Sequence, residues 1–152
     1  LLVGRQTRFT ASCVPQLPPD LEWLFATDLQ ICDADIALLP RSLRSLSLSQ
    51  NPTATAFAGG ELPSAAIPAL PPRLPSLSIP SRTSFHASAV PPLPRSLVSL
   101  HLPLSHQLTA DCISHLPIGL NRLALGNSRL SASYFDHQQA TLSKDYPELF
   151  IY

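Results

Sequence analysis

The residues best equipped for chemistry fall in one stretch, His101, His106, Asp111 and His115. Imidazoles and a carboxylate of this kind hold zinc or move protons when they converge on one point. Abundant serines add a nucleophile option, because a Ser-His-Asp site assembles from distant positions. The usual carriers of such chemistry are missing: there is no Gly-x-Ser-x-Gly turn, no Gly-rich phosphate loop and no His-Glu-x-x-His pair. Cys13, Cys32 and Cys112 have the spacing of neither a disulfide framework nor a zinc site. Asn51-Pro52-Thr53 fails as a glycosylation acceptor because proline occupies the middle position. A second set suits recognition rather than reaction. Trp23, Phe25, Phe57, His101, Arg122, Arg41, Arg73 and Arg95 include the aromatic and arginine types that dominate interface energetics. What either set can do depends on the elements that position it.

Composition limits those elements. With 152 residues, 45% hydrophobic and 13% charged, the chain has the material for about one domain with a core. Seventeen prolines, spread from Pro15 to Pro147, leave no room for a long uninterrupted helix, which excludes a helix bundle. Ten Lys and Arg balance ten Asp and Glu, so there is no overall electrostatic footprint for nucleic acid or an acidic membrane. No run approaches the roughly 18 apolar residues of a membrane span.

The chain repeats itself. LPPDLEWLFA (17–26), LPRSLRSLSL (39–48), LPPRLPSLSI (70–79), LPRSLVSLHL (93–102) and LPIGLNRLAL (116–125) share Leu-Pro-x-x-Leu-x-x-Leu-x-apolar, their starts separated by 22, 31, 23 and 23 residues. Three residues before each Leu-Pro stands Val14, Ile36, Ile67, Val90 or Ile113, and five before that Phe9, Ile31, Leu62, Phe85 or Leu108. The phase places the long interval's eight extra residues within Ser49–Glu61. Leu1-Leu2-Val3-Gly4 is in phase with Leu123-Ala124-Leu125-Gly126 and reads as the tail of an earlier strand. After Leu130 the pattern loosens; residues 131–152 read as a degenerate terminal repeat in which Tyr146-Pro147 stands for Leu-Pro. On this reading residues 1–152 form a single unit cut from a longer array.

Each repeat holds one short alternating run, whose leucines share one side of a strand. The remaining dozen residues are long enough to return and start the next strand parallel to the last. One turn cannot bury its leucines alone, whereas stacked turns bury them in a continuous core. The expected fold class is therefore an α/β repeat solenoid dominated by β-structure, with about one short strand per 22–23 residues. These residues resemble the leucine-rich repeat family, in the Leu-Pro-x-x-Leu-x-x-Leu-x-Leu variant similar to bacterial effector-type and FNIP-type repeats. The resemblance covers nearly the whole chain. It implies a concave parallel sheet, an irregular or short-helical convex side, and use as a protein-interaction surface. The family's asparagine is present as Asn51 but is replaced by Leu29, Arg82, Ser105 and Ser128, so a regular asparagine ladder is not expected.

With leucines inward, the outward strand positions are Trp23, Phe25 and Thr27; Ser45, Ser47 and Ser49; Ser76, Ser78 and Pro80; Ser99, His101 and Pro103; Arg122, Ala124 and Gly126. Trp23 with Phe25 marks one end of this face, His101 with Arg122 the other. The aromatic pair is either a partner anchor or is covered by neighbouring repeats or a loop. Phe57, the one large apolar residue of the insertion, either anchors a partner or plugs the step in the stack. Residues 1–38 carry two Arg against five acids, residues 39–130 seven against two, and residues 131–152 one Lys against three. Stacking should align Arg41, Arg73 and Arg95 along the edge where the chain enters each strand, as an acidic-peptide dock or an ordinary solvated edge. Cys13 and Cys112, four turns apart, would lie roughly 19 Å from each other at about 4.8 Å per strand, too far to bridge. Thiols that cannot pair lean the reading towards a reducing, intracellular compartment. His101 on a strand and His115 on a return diverge, so no metal or cofactor is expected. The function expected is non-enzymatic recognition of another protein or peptide through the concave sheet, the 49–61 loop or both, without nucleic acid or membrane insertion. The alternatives are spacer repeats, or the recognition arm of an enzyme, such as a ubiquitin ligase-type effector, whose catalytic domain lies outside these residues.

Overall fold

A computed structural model describes residues 2–3, 11–27, 33–49, 67–79, 90–102, 112, 115–125 and 150–151. Its local logic starts from the Leu-Pro dipeptide. The carbonyls of Pro18, Pro40, Pro71, Pro94 and Pro117 each accept a hydrogen bond from the backbone N–H of the leucine three residues on, at 2.9–3.2 Å. These are β-turns, and Pro19 and Pro72 occupy the first central position, where proline's fixed φ suits the turn. A second turn precedes the first: the N–H groups of Leu17, Leu39, Leu70 and Leu93 donate to the carbonyls of Val14, Ile36, Ile67 and Val90. Two consecutive turns thus bring three apolar anchors to one side just before the chain extends. Short 3-10 segments, Ala11–Gln16 and Ile67–Ala69, and one helix, α1 (Asp33–Ala37), carry part of the chain between strands.

The strands are β1 (Leu2–Val3), β2 (Trp23–Thr27), β3 (Ser45–Ser49), β4 (Ser76–Ser78), β5 (Ser99–Leu102), β6 (Arg122–Leu125) and β7 (Phe150–Ile151). They form one parallel sheet in chain order, five strands of three to five residues flanked by two-residue β1 and β7. The described structure is accordingly β-dominated. Across the inner strands Leu24, Leu46, Leu77, Leu100 and Leu123 are in register. That is the register of the Leu-Pro phase, including the long step between β3 and β4. At one margin Leu2 pairs with Phe25 and Val3 with Ala26, as the phase of the first residues requires. The other margin differs. With Tyr146 in the leucine place, residue 152 would pair with Arg122, whereas Phe150 does so, two residues earlier. The last unit spaces its leucine differently, with Leu149 three residues after Tyr146 instead of four.

Register converts the sequence columns into a single hydrophobic cluster. Leu17, Leu39, Leu70, Leu93 and Leu116 stack beside Leu43, Leu74, Leu97 and Leu120, above the strand leucines and the row Ala26, Leu48, Ile79 and Leu102. All are buried. At roughly 1.5–3 kcal/mol for each fully buried aliphatic side chain, these columns dominate the favourable side of folding. Polar stitches tie successive turns. Ser42 Oγ lies 2.7 Å from the carbonyl oxygen of Leu21 and 2.8 Å from that of Pro19, and Ser96 Oγ donates to the equivalent carbonyl, Leu74, at 3.1 Å. Ser42 and Ser96 hold the same place in Leu-Pro-Arg-Ser-Leu, so the motif's serine satisfies a carbonyl of the preceding turn.

Candidate recognition face

Side chains alternate along a strand, so the positions between the buried leucines face away from the core. Two rows result. The first runs Trp23, Ser45, Ser76, Ser99, Arg122, and the second Phe25, Ser47, Ser78, His101, Ala124. At about 4.8 Å per strand, Trp23 and Arg122 stand roughly 19 Å apart. Trp23 is 53% exposed and Phe25 40%, on a strand whose inward residues Leu24 and Ala26 are buried. The five serines are half-buried, and His101 and Arg122 are exposed. The face therefore has an aromatic end, a hydroxyl middle and a cationic end. Ala124 corrects the outward assignment: it is buried, at 5% exposure, because a lone methyl group projects too little to clear its neighbours.

Ser78 Oγ lies 3.3 Å from His101 Nδ1 across the β4–β5 pairing. The ring is exposed, and no carboxylate of the described residues hydrogen-bonds it. Among the described residues this pair thus has no third member of a nucleophile triad. His115 lies on the turn edge and not on this face, while residues 106 and 111 fall outside the described residues. Among the described residues no group of His, Cys, Asp or Glu could hold a metal. Cys13 and Cys112 are both unbridged, and Cys32 lies outside the described residues.

The sequence-derived candidates thus divide in two. Trp23, Phe25, His101 and Arg122 share the outer face at opposite ends. Arg41, Arg73 and Arg95 share the Pro-x-x-Leu turns and are all exposed. Phe57 and the insertion around it lie outside the described residues. Three features of the turn edge have no counterpart in the sequence reading. Arg44 Nε pairs with Glu22 Oε1 at 3.3 Å, both at the residue following the turn. A cleft opens between the fourth and fifth turns, lined by Pro91, Leu93, Arg95, His115, Leu116, Pro117 and Ile118. Ile118 is 85% exposed. Its signal was available, since it stands where Leu-Pro-Arg-Ser-Leu has arginine. No helix among the described residues is long and apolar enough to cross a membrane. No protein-family model matches the chain, and no curated protein does.

Proposed function

We propose that this chain is a leucine-rich-repeat solenoid, non-enzymatic, that recognises another protein through the outer face of its sheet. The observation that carries the reading is the exposure of Trp23 and Phe25 beside each other on β2. Large aromatics are the residues most often found at energetic centres of interfaces. Nothing in the strand demands them, because the same two positions are serines in β3 and β4. The hydroxyl rows then supply uncharged hydrogen-bonding groups along a partner, and His101 with Arg122 sets polarity at the far end. The Leu-Pro turns, with 3-10 and short helical segments between strands, support the solenoid reading.

A second reading, repeats that only extend a longer array, draws on the five serines, which offer a partner little apolar area. Trp23→Ala/Phe25→Ala separates the two. The recognition reading expects the double variant to lose at least about tenfold in partner affinity, as two hot-spot truncations would, with an unchanged circular dichroism spectrum. Deletion of residues 52–59 tests the insertion in the same binding assay. Unchanged binding by both variants would remove the outer face and the insertion as the recognition surface, whereas the spacer reading expects no protein to be retained by the parent chain at all.

A further inference from the structure

The turn edge carries a feature separate from the outer face. Arg41, Arg73 and Arg95 occupy three successive Pro-x-x-Leu turns, are exposed, and have no ion-pair partner among the described residues. The turn does not need arginine, since the first and fifth turns have Pro19-Asp20 and Ile118-Gly119 at its centre. The three turns lead into the adjacent strands β3, β4 and β5, so they stack about 4.8 Å apart, with Arg41 and Arg95 at the first central position of their turns and Arg73 at the second. Arg44 is different, its charge being met by Glu22. The edge therefore holds a line of cations that no acid among the described residues neutralises.

That line leads into the cleft between the fourth and fifth turns. The cleft measures about 350 Å³, the lower end of the range for ligand sites. Leu93, Leu116 and Pro117 are its buried residues, Pro91 and Ile118 add apolar surface, Arg95 and His115 are its polar members, and no acid among the described residues lines it. Ile118 is the most exposed of the large apolar side chains described, and no described residue covers it. Cations in a line followed by an apolar cleft have a definite complement: carboxylates in a line followed by a large apolar side chain. We propose that this edge docks an extended acidic peptide, its carboxylates on Arg41, Arg73 and Arg95 and its apolar side chain in the cleft against Leu93, Leu116 and Ile118.

The geometry favours a peptide over a nucleic acid. Three turns span roughly 10 Å, about three residues of extended chain, and the guanidinium fork matches a carboxylate in two hydrogen bonds. A nucleic acid asks for a broader cationic surface and for aromatic platforms on which bases stack. No Phe, Tyr or Trp among the described residues lines the cleft, and the His115 imidazole is its one aromatic ring there.

The test is fluorescence anisotropy with a labelled peptide of consecutive glutamates ending in leucine. Saturable binding that weakens as salt rises is expected. Arg41→Glu/Arg73→Glu/Arg95→Glu should weaken it by about tenfold or more, and the Gln triple variant by less, both with the parent's melting curve. Replacing the peptide's leucine by alanine, or Ile118 by Ser, should cost about threefold or more. Trp23→Ala/Phe25→Ala should leave it within about twofold, since that pair lies on another surface, so this proposal and the outer-face reading fail separately. Absence of saturable binding, indifference to the arginine reversals, or indifference to the apolar anchor would overturn it. So would an oligodeoxynucleotide of equal charge that binds as well as the peptide, which would make the edge a general polyanion site.

Discussion

The two faces of the sheet are built from alternate positions of the same strands and follow opposite rules. Inward, Leu24, Leu46, Leu77, Leu100 and Leu123 vary not at all, because each must fill the same space against its neighbours in a packed stack. Outward, their neighbours change from Trp23 to Ser45, Ser76, Ser99 and Arg122, since solvent sets no such demand. A position that packing leaves open is where a departure from the common residue can carry function. The aromatic pair on β2 and the isoleucine at Ile118 are both departures of that kind.

The contrast can be broken most severely from the inside. Leu46→Asp or Leu100→Asp places an unpaired charge among apolar neighbours, and each should cost more than about 4 kcal/mol, enough to abolish the folded circular dichroism signal at room temperature. A soluble variant that melts like the parent would refute the inward assignment. Truncation is milder: Leu43→Ala and Leu97→Ala, at fully buried turn leucines, should each lose about 2–5 kcal/mol in denaturant unfolding. The inter-turn stitches come next. Ser42→Ala, whose single O–H proton is shared between two carbonyls, and Ser96→Ala should each lose about 1 kcal/mol.

Gly119 sharpens that comparison from the other side. It holds the place of Ser42 and Ser96, and a Cβ there would lie 3.8 Å from the carbonyl oxygen of Leu97, in ordinary contact. Gly119→Ser should therefore complete a third stitch and raise the unfolding free energy by about 0.5–1.5 kcal/mol. A loss of stability would show that the fifth turn differs from the second and fourth. The smallest effect belongs to Arg44→Ala, whose ion pair is largely solvated and should contribute less than about 1 kcal/mol, fading with salt.

Much of this was readable in the sequence, for a physical reason. A stacked repeat pairs each strand with its neighbour in phase, so the Leu-Pro spacing alone gave the pairing of Trp23, Ser45, Ser76, Ser99 and Arg122, even across the insertion. The phase of Leu2 and Val3 gave their pairing with β2 in the same way. What escaped depends on distances between turns. Ser42 bonds to carbonyls 21 and 23 residues earlier, and the cleft at Ile118 forms only when two turns lie side by side. The burial of Ala124 reflects side-chain length, which alternation does not encode. At β7 the consensus had decayed, and a two-residue change of register is invisible to a pattern of period two.

The most direct test compares two neighbours on β4. Leu77 is 3% exposed and faces the core, whereas Ser78, next along the chain, is half-buried on the outer face. Thermal unfolding of Leu77→Ser and Ser78→Leu, side by side, asks whether the strand has the faces described. Leu77→Ser should lower the melting temperature by about 10 °C or more, a loss of several kcal/mol, while Ser78→Leu should shift it by no more than a few degrees. Equal losses, or a larger loss in Ser78→Leu, would contradict those faces.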